Sequence, residues 1–138
     1  MASWLIPANT KFYDVFLAFE RSETYWPMNA KVATGDIVYI YLAAPYKQIG
    51  FRSKVLGIGY DLAEILDQVR PLIKGDVDHG SGSKPFMKLG APCAVPIDPN
   101  AALSLNNLRE HGLKGMLMGA RKLDNNLPLL EFTEKAFK

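Results

Sequence analysis

The side chains able to do acid–base or nucleophilic chemistry are few and scattered. Among 138 residues there is one cysteine, Cys93, and two histidines, His79 and His111. His79 sits in Asp76-Val77-Asp78-His79-Gly80-Ser81-Gly82-Ser83, where a histidine among aspartates could take a metal or act as a base. The stretch lacks the preceding strand, the following helix and the Gly-Lys-Ser/Thr ending of a phosphate loop, so it reads as a polar surface loop. Cys93 lies among Ala91, Pro92, Ala94 and Val95 with no basic neighbour, which predicts a buried, inert thiol. His111, at the end of a short helix, suits dipole compensation better than catalysis. No paired-carboxylate motif and no metal-ligand helix is present. The expectation is a protein that is not an enzyme and needs no cofactor and no metal.

Binding chemistry is better represented. Trp26 follows Tyr25 and precedes Pro27 in what reads as an irregular segment. Trp4 heads the first strand, and Tyr39 and Tyr41 share one face of another. Flat rings can stack on a nucleobase. Asn9, just after the first strand, carries an amide that both donates and accepts, as the edge of a base requires. Each has a plainer role: the rings as packing, Asn9 as a turn or cap residue. Both readings stand at this point.

The elements that must position these residues follow from periodicity. Ser3 to Pro7 reads as a short strand. Phe12, Phe16 and Phe19, with Val15, fall at helical spacing, with Asn9 or Thr10 as a cap. After the Gly35-Asp36 turn, Ile37 to Leu42 is the clearest strand. Val38, Ile40 and Leu42 point to one face; Ile37, Tyr39 and Tyr41 point to the other, which would offer its two hydroxylated rings. A second strand is expected from Ile49 to Ile58. In 61–70, Leu62, Ile65, Leu66 and Val69 make an apolar helical stripe, with Asp61 and Glu64 as a capping box and Pro71 as the stop. Phe86 to Ile97 reads as one or two strands. Ser104 caps a helix that Gly112 ends. Leu113 to Leu123 is expected to be extended, and Pro128 to Phe137 to close the chain as a helix. Short, polar-flanked strands exclude a doubly wound parallel sheet and favour a small barrel or bent sheet with helices around it.

Length and balance agree with one domain over residues 1–138: 49% of residues are hydrophobic and 22% charged. The longest apolar run, 37–46, includes Pro45 and falls far short of the ~20 residues of a membrane helix. With no secretory signal and a lone cysteine, a cytoplasmic location and no membrane partner are expected. The formal net charge is +2. It is unevenly spread: residues 1–69 carry 6 basic and 7 acidic side chains, and residues 70–138 carry 10 and 7. The second half can thus present a weakly basic face.

Trp4-Leu5-Ile6-Pro7-Ala8-Asn9, then Phe12-Tyr13-Asp14, Trp26, and Gly35-Asp36-Ile37-Val38-Tyr39-Ile40-Tyr41, in this order and spacing, resemble the EVE domain. That family belongs to the PUA-like superfamily and is related to the YTH domains. Pro96-Ile97, the helix around 105–111, and Gly112-Leu113-Lys114-Gly115-Met116 through Arg121-Lys122-Leu123 are similar to the family's closing elements. The chain departs from the pattern at Thr10, where many members have proline. It departs again at Ala43-Ala44-Pro45-Tyr46-Lys47, where many have a small polar turn. The resemblance implies an α+β fold, a PUA-like mixed β pseudo-barrel with surrounding helices. It also implies a pocket between the first strand's exit and the central strand. The implied ligand is DNA or RNA carrying a modified, often methylated, base. Asn9, Trp26, Tyr39 and Tyr41 would bind the base, and Lys47, Arg52, Lys114, Arg121 and Lys122 the phosphates. A nuclease or other effector would be a separate chain. The alternative is a pocket for a free small molecule such as a modified nucleoside or nucleotide.

Overall fold

The computed structural model describes residues 2–8, 13–28, 30–72, 85–98, 100–115, 117 and 119–137. Asn9, Thr10, Phe12 and the loop with His79 lie outside them. Among the described residues, six strands and four α-helices follow in order: β1 (Ser3–Ala8), α1 (Val15–Ala18), β2 (Glu23–Pro27), β3 (Ile37–Leu42), β4 (Gln48–Tyr60), α2 (Leu62–Val69), β5 (Phe86–Ala94), α3 (Leu105–Glu110), β6 (Arg121–Lys122) and α4 (Leu127–Ala136).

The strands form one sheet in the order β2-β5-β4-β3-β1-β6. β1 runs parallel to β3 and every other pairing is antiparallel. The sheet curls. Trp26 on β2 and Ile6 and Ala8 on β1, far apart in strand order, belong to one buried cluster with Val38, Ile40, Leu42, Met87 and Leu89. Register irregularities along β4 supply the bend, since an extra residue on one strand kinks it and increases its twist. The opposite face carries Leu5, Ile37, Tyr39, Tyr41 and Ile49, and there it packs against Leu108 of α3 and Leu129 of α4. α2 sets Ile65 and Val69 against Phe86.

Several elements stand where the sequence places them. Ser104 Oγ accepts the Asn107 N–H at 3.3 Å and starts α3. Gly112, at φ +116°, lets the chain turn away from it. Others differ. The Trp26 segment is a strand, paired with β5 from Glu23↔Gly90 to Pro27↔Phe86. The helix expected around Phe16 is one turn, capped by Asp14, whose carboxylate accepts the Leu17 N–H at 3.1 Å. Asp61 occupies the N-cap of α2 but makes no side-chain cap bond, so the capping box does not form. Among the described residues of 113–123, only Arg121–Lys122 is strand.

Cys93 corrects a further expectation. It is exposed, because β5 leaves the core after Gly90, where Ala91 at φ +48° redirects the chain. Apolar neighbours in sequence do not bury a residue: Cys93 still pairs with Arg52 of β4, yet its side chain reaches solvent. Among the described residues, no helix is long and apolar enough to cross a membrane.

Candidate nucleic-acid interface

The edge strand β6 gathers three of the five cations singled out from the sequence. It pairs with β1 through Trp4↔Lys122 and Leu5↔Arg121. Successive strand residues point to opposite faces, so Lys122 falls beside Trp4 and Arg121 beside Leu5. The Lys122 ammonium lies 5.9 Å from the Trp4 ring centroid, within cation–π range. Arg121 Nη1 donates to the Lys114 carbonyl, which ties the turn after α3 to the sheet edge. Gly112 and Gly115, both at positive φ, shape that turn. Asn126 Nδ2 donates to the Gly112 carbonyl at 2.9 Å, and Asn126 Oδ1 accepts from Leu129 at the start of α4. Between these parts lies a pocket of about 110 Å³ whose walls include Leu5, Lys114, Arg121, Lys122 and Asn126.

Trp4 itself is anchored. Its indole N–H donates to Asp36 Oδ2 at 3.0 Å. The same carboxylate accepts from the amides of Ala2 and Ala33, each at 2.9 Å. Burial pushes Asp36 toward protonation, but these three donors outweigh it and hold its pKa below the ordinary carboxylate value. The edge is therefore built on a fixed, ionised group.

The other two cations are elsewhere. Lys47 is exposed on the turn after β3, with φ +52°. Arg52 is in the middle of β4, opposite Tyr39. Burial raises the Tyr39 pKa and a hydrogen bond with Arg52 opposes the rise, so this guanidinium is engaged with the phenol. Burial likewise raises Tyr41, against the nearby charge of Arg109.

The expected aromatic cage is not assembled. Trp26 is 4% exposed and sits on the curled sheet's inner face, with Tyr13 at 5.1 Å edge-on and Phe19 at 5.5 Å between ring centroids. Tyr39 and Tyr41 are also buried, but on the other face, beneath α3 and α4. The sheet itself separates Trp26 from the two tyrosines. Packing is thus the observed role of all three rings. Period-2 alternation shows that two faces differ, but not that both are covered. Asn9, the fourth member of the expected site, lies outside the described residues.

The exit of β1 carries a ring that the sequence reading did not choose. Ala43 N–H donates to the Ala8 carbonyl at 3.1 Å, joining the ends of β1 and β3. Tyr46, on the same turn, is 37% exposed and meets Phe16 edge-on at 5.3 Å. The only available signal was that Ala43-Ala44-Pro45-Tyr46-Lys47 departs from the resembled family's turn.

A larger pocket, about 320 Å³, opens beside Pro96, Asp98, Ala101, Leu103 and Ala136. Buried Gln48 holds its wall: Nε2 donates to the Pro96 carbonyl at 3.0 Å and Oε1 accepts the Asp98 N–H at 3.0 Å. Among the described residues, no three His, Cys, Asp or Glu side chains gather as a metal site.

No protein-family model and no curated protein matches this sequence. Solved structures do match over the whole chain. A point mutant of the ASCH protein from Zymomonas mobilis is 11% identical, covers 99% of this chain and 97% of its own, and has a TM-score of 0.66. The human THYN1 protein, in complex with 5-methylcytosine-containing DNA, is 10% identical over 100% and 99% of the two chains, with a TM-score of 0.59. A hypothetical protein from Leishmania major is 15% identical over 98% and 96%, with a TM-score of 0.58. The likeness is one of fold, and the fold is α+β and PUA-like.

Proposed function

We propose that this chain is an EVE-like, non-enzymatic binder of nucleic acid that carries a modified base. The observation that carries the reading is the β6 edge. There tertiary pairing brings Lys114, Arg121 and Lys122 to one sheet edge, with Lys122 over the anchored Trp4 indole on one face and Lys114 and Arg121 beside a small pocket on the other. A human protein of the same fold in complex with 5-methylcytosine DNA supports the ligand class. The cations meet phosphates, which position the strand; base contacts specify it. With Trp26 in the core, the base seat moves to the exit of β1, where Tyr46 and Phe16 stand. Arg121 pairs three residues before the end of β1, so the cationic edge lies ~10 Å from that exit at ~3.3 Å per residue. A binding role also suits the groups whose acidity the fold shifts. Asp36 is saturated by three donors, and the Tyr13 hydroxyl donates to the Tyr25 carbonyl at 2.8 Å.

The test is a titration of methylated and plain single-stranded oligonucleotides, and of the free modified nucleoside, across a salt series. Three phosphate contacts give a slope of about −2 in log affinity against log salt. That is roughly an 18-fold loss between 50 and 200 mM by the same rule. Lys122→Ala should flatten the slope by about 0.7 and leave base preference unchanged. A flat slope, or an oligonucleotide no tighter than its nucleoside, would overturn the reading. That outcome would favour the second reading, a free small molecule, for which the 320 Å³ pocket is the observation in its favour.

A further inference from the structure

We propose that His111 is a stacking platform for an unpaired base of the same bound strand. This rests on the nucleic-acid reading above and extends it to a residue with no place in the expected site. His111 ends α3, and its N–H reaches the Asn107 and Leu108 carbonyls at 3.2 and 3.1 Å. Its ring is also held. Nδ1 lies 2.9 Å from the Asn107 carbonyl, an acceptor, so Nδ1 carries the proton. The imidazole rests on Phe132 with centroids 3.6 Å apart and planes within 2°. Such a face-to-face arrangement is less favoured than an offset one, and the Nδ1–H bond is what keeps it. Phe132 is half-buried against the cluster beneath α3 and α4. The histidine is exposed nonetheless, so the face turned from Phe132 looks into solvent.

A braced, outward-facing ring is preorganised for stacking, because little freedom remains to be lost when a base arrives. Its position fits the cationic edge. Three chain steps separate His111 from Lys114, which keeps their Cα atoms within ~11 Å. That is short enough for one bound strand to reach both. The next residue back, Glu110, presents an exposed carboxylate. With Arg109 also exposed in this last turn, the local charges roughly cancel, and the ring rather than the charge makes this end suit a base, while Lys114 and Arg121 take the backbone. Bases inside a duplex have no free face, and the bound segment is therefore single-stranded at this point.

The experiment uses short single-stranded oligonucleotides containing 2-aminopurine, whose fluorescence falls on stacking, with wild type, His111→Ala and His111→Trp. His111→Ala should weaken binding about 5- to 150-fold and abolish quenching at one position, with the salt slope unchanged. His111→Trp should restore the quenching and part of the affinity, since its ring can stack but lacks the Nδ1–H brace. Thermal melting of each variant checks that the fold is intact. Wild-type affinity in His111→Ala with an unchanged slope would overturn the platform and leave the nucleic-acid reading standing. A flattened slope in His111→Ala would also overturn it, as a phosphate contact. Absence of wild-type binding to any oligonucleotide would instead remove the nucleic-acid reading.

Discussion

Asp36 is the most heavily bonded side chain beneath the cationic edge, and its removal has a calculable effect. The residue is 5% exposed and accepts from Ala2, Ala33 and the Trp4 indole. Hydrogen bonds to a charged group contribute ~1.5–3 kcal/mol each, but the three donors are only partly buried and water can replace some of the loss. Asp36→Ala should therefore cost about 3–5 kcal/mol, against a total stability of ~5–15. Asp36→Asn is gentler. Its carbonyl can still serve Ala33 and Trp4, while its NH2 faces the Ala2 N–H, for a cost of about 1.5–3 kcal/mol. With a urea m-value of ~1.5 kcal/mol/M, that lowers the midpoint by about 1–2 M at pH 7. The pH dependence has a definite sign. Burial acts to raise the pKa, but the three donors outweigh it, so the folded value lies below the ordinary carboxylate value. The stabilisation is then complete above the unfolded value and is lost as pH falls through the folded one. The gap between wild type and Asp36→Asn should be full at neutral pH and close in steps below pH 4. Urea titrations of both proteins down that series measure it. An unchanged midpoint at pH 7, or a gap indifferent to pH, would refute the reasoning.

Two other outcomes follow from burial. Trp26→Ala should remove about 3–5 kcal/mol of stability, as large-to-small changes at buried aromatics do, with little change in oligonucleotide affinity per folded molecule. Thermal unfolding and titration of the folded fraction separate the two effects, and a stable variant that loses binding would return Trp26 to the site. Exposed Cys93 should react with a water-soluble thiol reagent in native buffer at a rate close to that of the urea-unfolded chain. Labelling slower by orders of magnitude would show a protected thiol.

The charge, the strand alternation of 37–42, the Ser104 cap and the Gly112 stop were all legible in the residues, because each depends on neighbours within a few positions. So was the PUA-like α+β architecture, through the order and spacing of short motifs. The site was only partly legible. Lys114, Arg121 and Lys122 share an edge because a two-residue strand pairs with β1 more than a hundred positions earlier, and no local pattern encodes that pairing. Trp26 and Tyr39 look equally available as sequence, yet one faces the curled interior and the other lies beneath two helices. Alternation tells that a strand has two faces; only the layers laid over the sheet decide which are closed. Cys93 and Tyr46 make the same point in reverse. Apolar neighbours suggested burial for the first and a departure from pattern marked the second. Where β5 leaves the core, and how the β3–β4 turn meets Phe16, decided that both reach solvent. His111 became a candidate only when α4 brought Phe132 beneath it, a contact between residues 21 positions apart on two helices whose packing the sequence does not specify locally.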